Sequence, residues 1–172
     1  MANDFYIRDA VEADLRRLTE VELEAAERFA ALRNPPVAVD RCLPHALLLE
    51  GIQQRRLWVA VVPGHQVVGF AFAGHVGDAA FLNEIDVLPA FGRRGIGRAL
   101  IDRVERWARA CGYERLALTT FRDIPWNGPY YAGLGFCELT EEQVQGELVS
   151  VLEDERRHVL AGWARIAMMK TL

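Results

Sequence analysis

The sequence predicts a single α/β domain in which helices cover a mixed β-sheet, and three observations support this class. Apolar, β-branched runs joined by short turns occupy the middle of the chain, which is typical of antiparallel strands. Strand-like and helix-like segments then alternate to the C-terminus, as they do in a sheet with helices packed on it. No stretch has the composition of a linker, and 172 residues suit one domain, so we assign residues 1–172 to it.

The chain begins with a strand and a long helix. Residues 4–10 alternate apolar and polar side chains, as a short strand does. From Glu12 to about Arg33, apolar residues recur at helical spacing, and an Asn-Pro-Pro sequence then stops the helix because proline donates no backbone hydrogen bond. Residues 37–56 have an ambiguous pattern, and we assign them to a loop and a short helix.

A hairpin, a further strand and an amphipathic helix follow. Residues 57–76 place two apolar runs on either side of a Pro-Gly-His turn, and residues 79–88 form the next strand. The helix after it should bury one face and carry ion pairs between residues four apart on the other. The residues of the buried face are Ile96, Leu100, Val104, Trp107 and Cys111; the expected pairs are Asp102–Arg106 and Glu105–Arg109; and Gly112 ends the helix.

The last third of the chain alternates between strands and helices. The pattern predicts strands over 114–121, 136–140 and 163–172, with helices over 126–135 and 141–162. The final strand is expected at an edge of the sheet, where unpaired backbone groups need a cover.

The composition argues against several classes of partner. A formal net charge of −4 speaks against nucleic acid. No apolar run approaches the ~20 residues of a membrane span, and the early charges do not fit a signal peptide, so we expect no membrane partner. The three cysteines are scattered without metal-ligand spacing, so we expect no metal site and reduced thiols in the cytoplasm.

Residues 92–98 contain three glycines and three arginines just where the long helix begins. A helix N-terminus has unpaired backbone N–H groups and partial positive charge, and Gly95 and Gly97 let a ligand approach the backbone closely. These features indicate a phosphate-binding turn, to which the arginines add charge-assisted hydrogen bonds. The turn has neither the Lys-Ser/Thr pair of a P-loop nor the glycine spacing of a dinucleotide-binding fold. The alternative is a glycine-rich connection with exposed arginines.

Two segments resemble motifs of the GNAT acyltransferases, an acetyl-CoA-dependent superfamily. Residues 87–100, VLPAFGRRGIGRAL, resemble motif A, and residues 126–136, WNGPYYAGLGF, resemble motif B. The resemblance is strong from Leu82 to Phe136 and covers essentially the whole chain through the order of its elements. It implies a GNAT-like fold, whose central mixed sheet is splayed between the fourth and fifth strands and flanked by helices. It also implies an N-acetyltransferase that moves an acetyl group from acetyl-CoA directly to an amine in a ternary complex, releasing CoA.

The same resemblance implies which residues hold acetyl-CoA. The pantetheine arm would pair with backbone at the end of the fourth strand, and the pyrophosphate would rest on the amides of the glycine- and arginine-rich turn. The family usually has Gln or Arg where Gly92 stands, so Arg93 and Arg94 would supply that contact. The implied cofactor-binding residues are Asp86, Val87, Leu88, Gly92, Arg93, Arg94, Gly95, Ile96, Gly97, Arg98, Asn127 and Tyr131.

Acetyl transfer to an amine needs a base for the ammonium proton and an acid for the leaving thiolate. Glu84 is the first candidate for the base and Asp86 the second, because alternation puts both on one strand face. A β-bulge in this strand could change which carboxylate points inward, and a solvent-facing or structural role is the alternative for either. Tyr131 matches the motif B tyrosine and is the candidate acid, with the adjacent Tyr130 as the alternative. The amide of Val87 could polarise the thioester carbonyl.

The acceptor is a primary amine of a small molecule, peptide or protein, and its identity stays open at this point. Residues 37–56 and 121–128 should shape its site, and Asn127 either contacts the cofactor arm or caps the short helix. Two other functions stay open: a catalytically silent acyl-CoA sensor of the same fold, and a nucleotide-binding module unrelated to CoA. Many GNAT proteins pair as two-fold dimers through late elements, so the resemblance is compatible with a homodimer, with a monomer as the alternative.

Overall fold

The computed structural model describes residues 4–33, 35, 42–159 and 162–172. Within these ranges, seven strands form one sheet that five α-helices flank. The strands are β1 (Tyr6–Asp9), β2 (Leu57–Val62), β3 (Gln66–Val76), β4 (Ala79–Val87), β5 (Arg115–Phe121), β6 (Cys137–Glu138) and β7 (Arg165–Thr171). The helices are α1 (Leu15–Ala30), α2 (His45–Gln53), α3 (Ile96–Ala110), α4 (Gly128–Gly133) and α5 (Glu147–Arg157), with short 3-10 turns at Glu12–Asp14 and Pro89–Phe91. Of the ambiguous segment 37–56, residues 37–41 lie outside the described ranges, and the rest contains the predicted short helix, α2.

The sheet is mixed, as the sequence predicts. Its strand order is β1-β2-β3-β4-β5-β7-β6, and in the part of the chain that the structure describes only β4 and β5 are parallel neighbours. These two strands pair over two residues each, ending at Phe81 with Ala117, although β4 runs on to Val87 and β5 to Phe121. The sheet is therefore splayed between its fourth and fifth strands, and the unpaired backbone of β4 faces a gap.

The sequence is compatible with a β-bulge in β4, and the structure has one where β3 pairs with β4. The register shifts between Phe72 and Ala73, which leaves Asn83 as the extra residue of β4. Beyond the bulge, Glu84 and Asp86 still alternate along one strand, so both point to the same face of the sheet. Phe72 pairs with Glu84 and packs against α2, which places both carboxylates on the side of the sheet that α2 covers.

The buried face of α3 agrees with its predicted residues except at the C-terminal end. Ile96, Leu100 and Val104 are buried, and Trp107 is half-buried. The prediction is wrong for Cys111, which is exposed because the helix ends one residue earlier. Gly112 follows with a φ of 84° and turns the chain away, as expected of a glycine after a helix.

The ion pairs of α3 differ in part from the prediction. Glu105 pairs with Arg109 at 3.4 Å, but Glu105 is buried rather than exposed, because Lys170 of β7 also binds its carboxylate at 2.6 Å. Asp102 pairs with Arg98, one turn earlier, at 3.0 Å instead of with the arginine one turn later. Both arginines are four residues away from Asp102, so helical spacing does not choose between them.

The C-terminal strand lies inside the sheet, so the prediction of an edge position is wrong. β7 pairs with β5 along its whole length, and β6 pairs with its other side. The edges of the described sheet are β1, with four residues, and β6, with two, which makes β6 shorter than the predicted 136–140. The helix predicted over 141–162 begins only at Glu147, after Gly146 with a φ of 60°. Among the described residues, no helix is both long and apolar enough to cross a bilayer.

Candidate active site

The glycine- and arginine-rich turn leads into the N-terminus of α3. Gly95 precedes the helix with a φ of 82°, a left-handed conformation that glycine adopts without strain. Ala99 donates its N–H to the carbonyl of Gly95 at 3.0 Å, so helical geometry leaves the amides of Ile96, Gly97 and Arg98 without partners inside the helix. These amides and the helix dipole together provide a site for an anion.

The three arginines of the turn are exposed around this N-terminus. Arg98 pairs with Asp102, and the guanidinium of Arg94 lies 5.0 Å from the ring centroid of Phe91. Arg93 has a φ of 60°, which is uncommon for a residue with a Cβ. An anion held by the helix amides would therefore meet guanidinium groups at the rim of its site, each able to form a charge-assisted hydrogen bond.

Gly97 is in close contact with a side chain of the protein itself. A Cβ at this position would lie 2.7 Å from the hydroxyl oxygen of Tyr130 on α4, closer than real Cβ contacts allow. At Gly92, by comparison, the nearest atom to an added Cβ is the carbonyl oxygen of Pro89 at 3.2 Å. The sequence alone relates Gly97 to ligand approach, and the structure adds that the hydroxyl of Tyr130 lies against the first turn of α3.

The backbone of Val87 faces the gap between β4 and β5. The amide of Leu88 donates to the carbonyl of Val68 in β3 at 2.9 Å, and alternation along the strand turns the amide and carbonyl of Val87 the other way. That carbonyl accepts a hydrogen bond from Nη2 of Arg28 in α1 at 2.8 Å. Of the three backbone positions predicted to contact pantetheine, Val87 faces the gap, whereas Asp86 and Leu88 direct their backbone groups at β3.

Arg28 is a site residue that the sequence did not indicate. Besides its bond to Val87 at the end of β4, its guanidinium lies 5.8 Å from the ring centroid of Trp126, in the segment after β5. The side chain thus connects the two sides of the gap. Burial lowers the pKa of Arg28, and the charge of Asp86 opposes that change. Arginine is common in the last turn of a helix, where it stabilises the helix dipole, so no sequence signal singles this one out.

Three carboxyl groups influence one another on the face of β4 that carries Glu84 and Asp86, and the third belongs to Glu22 of α1. Burial raises the pKa of Glu84 above its ordinary value, and the charge of Arg165 in β7 opposes the rise. Burial also raises the pKa of Asp86 well above its ordinary value, and the charges of Glu84 and Glu22 add to it. Asp86 has more like charges around it, which favours Glu84 as the member of the pair that ionises first.

Glu22 links α1 to the segment before α2. It is 8% exposed, and its two carboxylate oxygens accept the backbone N–H of Leu43 at 2.9 and 3.1 Å. Burial, followed by the charge of Glu84, raises the pKa of Glu22 to about 7. Glu22 was not among the predicted site residues, although the sequence contains a signal for it: its position on the buried face of α1, between Leu18 and Ala25.

Tyr131 is the buried member of the tyrosine pair on α4. It is 8% exposed, whereas Tyr130 is half-buried, and their rings meet edge-to-face with centroids 5.4 Å apart. Burial, followed by the charge of Glu84, raises the pKa of Tyr131 above its ordinary value. The phenol is therefore protonated at neutral pH and able to donate. The charges of the two carboxylates of β4 both act on this phenol and raise its pKa further.

Asn127 precedes α4 but does not cap it with its side chain. Its Nδ2 donates to Oγ1 of Thr120 in β5 at 3.0 Å, and its backbone carbonyl accepts the N–H of Tyr131 at 3.0 Å. Its Oδ1 is buried and has no hydrogen-bond partner within the described ranges. A buried amide oxygen without a donor is costly, and an N–H of a ligand arm is one group that would satisfy it. Contact between Asn127 and the cofactor stays a prediction.

Aromatic rings from α1, β5 and the segment after β5 form a cluster next to an ion pair. The ring of Phe29 on α1 lies 6.0 Å from that of Phe121 on β5 and 5.8 Å from that of Trp126. Arg165 bonds Oε2 of Glu155 on α5 at 2.9 Å, and its guanidinium lies 4.8 Å from the ring centroid of Phe121. The buried ring of Phe121 therefore joins an aromatic cluster to the arginine whose charge acts on Glu84.

A splayed sheet, an anion-binding helix N-terminus and a phenol near two carboxylates are typical of an acyltransferase that uses a phosphate-bearing donor. The family model described as "Acetyltransferase (GNAT) family" matches residues 14–136, more than half of the chain. The protein therefore belongs to the GNAT family of acetyltransferases, as the sequence motifs indicate.

Solved structures of this family share the fold across nearly the whole chain. The PaiA N-acetyltransferase of Thermoplasma acidophilum, in complex with coenzyme A, is 17% identical with a TM-score of 0.71 over 98% of this chain and 99% of its own. The putative acetyltransferase YncA of Salmonella typhimurium, with acetyl-CoA, is 23% identical with a TM-score of 0.67 over 99% and 95%. A GNAT acetyltransferase of Staphylococcus aureus is 15% identical with a TM-score of 0.72 over 98% and 99%. The cosubstrate of the family is acetyl-CoA, as predicted.

Proposed function

We propose that the protein transfers the acetyl group of acetyl-CoA to a primary amine, by direct transfer in a ternary complex. The observation that carries the proposal is the proximity of Tyr131 to Glu84 and Asp86, beside the gap between β4 and β5. A protonated phenol and a carboxylate are the acid and the base that this reaction requires.

The cosubstrate supplies an acetyl thioester, and this chain supplies its binding groups. The amides at the start of α3 suit the pyrophosphate, and the backbone of Val87 and the side chain of Asn127 suit the pantetheine arm. The remaining proposed contacts come from Gly92, Arg93, Arg94, Gly95, Ile96, Gly97, Arg98 and Tyr131, whereas the backbone groups of Asp86 and Leu88 are directed at β3. None of them requires a metal ion.

In the proposed reaction, Glu84 takes a proton from the acceptor ammonium, directly or through a water molecule. The freed lone pair forms a bond to the thioester carbonyl carbon, while the amide of Val87 donates to the carbonyl oxygen. The carbon–sulfur bond then breaks, and Tyr131 gives its proton to the departing thiolate. Burial raises the pKa of Glu84 towards that of an amine, which makes it a stronger base once it is ionised.

The acceptor is an amine of a small molecule, peptide or protein. The carboxyl groups of Glu22, Glu84 and Asp86 favour a positively charged group on this side of the sheet. The segment before α2, which Leu43 attaches to Glu22, would form one wall of the acceptor site. A cytoplasmic location and the lack of a nucleic-acid partner stay predictions from composition.

Release of free CoA from acetyl-CoA, followed with a thiol reagent and a panel of small amines and peptides, tests the proposal. We expect amine-dependent release and a product heavier by one acetyl group. Binding of acetyl-CoA without transfer to any amine of the panel would contradict the proposal and support a silent acyl-CoA sensor.

A further inference from the structure

We propose that Tyr130 is a cofactor-binding residue whose hydroxyl donates a hydrogen bond to the pyrophosphate of CoA, and that Gly97 lacks a side chain in order to admit that hydroxyl. The inference rests on the proposed placement of the pyrophosphate at the start of α3. It concerns binding alone, so it does not depend on whether the bound cosubstrate reacts.

The position of the hydroxyl is the first support. Tyr130 extends from α4 to the first turn of α3, where its oxygen lies 2.7 Å from the place of a Cβ on Gly97. Gly97 is the second residue of α3, and its amide is one of those left without a partner inside the helix. The phenol oxygen is therefore beside the group of amides that favours an anion.

The second support is that this hydroxyl is unused. In the part of the chain that the structure describes, no protein group forms a hydrogen bond with it, although Tyr130 is half-buried. Burial raises the pKa of Tyr130, so the group is a protonated donor at neutral pH. A phenol in this position can give its proton to a phosphate oxygen, which accepts strongly because it is charged.

The third support is the direction from which this donor comes. Gly92, Gly95 and Gly97 have no side chains, and the guanidinium groups of the turn are exposed at its rim, where Arg98 also pairs with Asp102. The hydroxyl of Tyr130 adds a donor from the neighbouring helix, on the side of the amides where Gly97 leaves room for it.

Calorimetric binding of CoA and of pantetheine, which lacks the phosphates, tests the role of the hydroxyl. We expect Tyr130→Phe to weaken CoA binding by about ten- to a hundred-fold, the usual effect of losing a hydrogen bond to a charged group. The affinity for pantetheine should change by less than about two-fold, because pantetheine has no phosphate for the hydroxyl to bind. Tyr113→Phe is the matched control, because Tyr113 packs on Trp107 near the other end of α3.

Unchanged CoA affinity in a folded Tyr130→Phe variant would overturn the proposal, and so would an equal loss for pantetheine and CoA. If the wild-type protein binds CoA but transfers no acetyl group, the proposed function fails. The role of Tyr130 is then still decided by the CoA and pantetheine affinities of the Tyr130→Phe variant.

A double substitution tests the assignment of Gly97. With the hydroxyl removed, a Cβ at position 97 would meet the ring carbon that carried it at 3.6 Å, an ordinary contact. We therefore expect Gly97→Ala to weaken CoA binding in the wild-type background and to have no further effect in the Tyr130→Phe background. An equal loss in both backgrounds would overturn the assignment, because it would show that the ligand itself excludes the alanine. Thermal unfolding of each variant verifies that it folds.

Discussion

Glu22 on α1 accepts the backbone N–H of Leu43 on both oxygens of its buried carboxylate, at 2.9 and 3.1 Å. The pair fixes the start of the segment that leads into α2, and it does so with a group whose pKa lies near neutrality. Ionisation of Glu22 therefore changes the contact that holds the segment before α2, which is the proposed wall of the acceptor site.

The stability of the protein should fall with rising pH through ionisation of Glu22. Its pKa of about 7 in the folded state exceeds the ordinary value of 4.5, so the folded state retains a proton that the unfolded state has lost. The resulting cost is absent below the ordinary pKa, grows as pH rises between the two values, and reaches about 3 kcal/mol above the folded pKa. Glu22→Gln should remove this cost and raise the melting temperature at about pH 8 more than at about pH 5.

Urea or thermal unfolding across that pH range is the measurement. Glu24→Gln is a suitable control, because Glu24 is an exposed glutamate on the same helix that pairs with Arg17. A difference between Glu22→Gln and wild type that stays constant with pH would show that Glu22 acts through its hydrogen bonds alone.

Tyr131→Phe should lower kcat by about ten- to ten-thousand-fold, the range typical of acid–base groups. Acetyl-CoA affinity should stay nearly unchanged, because the substitution removes a proton donor and keeps the buried ring. Steady-state kinetics together with calorimetric binding of acetyl-CoA make this comparison. An equal fall in binding and in kcat/KM would assign Tyr131 to cofactor binding instead.

Glu84→Gln should depress the rate most between the pKa of Glu84 and that of the acceptor amine, where the wild-type carboxylate is ionised while the amine still holds its proton. At high pH the free amine needs no base, so the variant should approach wild-type activity there. A pH–rate profile of Glu84→Gln beside Asp86→Asn distinguishes the two carboxyl groups. Full activity in Glu84→Gln with none in a folded Asp86→Asn variant would make Asp86 the base.

Arg165 and Glu155 should shift the pKa of the proposed base, Glu84, in opposite directions. The charge of Arg165 lowers the pKa of Glu84, whereas the charge of Glu155 raises it. Arg165→Gln should therefore move the acidic limb of the pH profile of kcat/KM upwards, and Glu155→Gln should move it downwards. Shifts in the same direction would show that the effect comes from breaking the ion pair between these two residues.

A homodimer stays a prediction from the family resemblance. The observed position of β7 between β5 and β6 removes the open C-terminal edge that favoured it, and the remaining edge strands are short. Light scattering at micromolar concentration measures the mass of the particle directly. A mass near 19.4 kDa with and without CoA would exclude the dimer.

The elements with strong local signals were predicted well. The hairpin predicted over 57–76 is formed by β2 and β3, because two apolar runs on either side of a Pro-Gly-His turn are typical of a β-hairpin. The glycine- and arginine-rich turn leads directly into α3, as predicted. Gly95, the residue before the helix, has a φ of 82°, a conformation that favours glycine. Glu22 was missed even though a charged side chain on the buried face of a helix is a recognisable signal.

The sequence by itself determined the mixed sheet, the order of its elements and the family, and it supplied the candidate residues for the proposed chemistry, because periodicity and motif spacing are local properties. Only the tertiary structure decided that Asn83 is a bulge, that β7 is internal and that Arg28 reaches Val87. Only it showed that Tyr131 is buried and that the charges of Glu84 and Asp86 act on it, while the hydroxyl of Tyr130 lies against Gly97. These features depend on pairing and packing between segments far apart in the chain, and burial, which sets the pKa of each group, exists only once those segments meet.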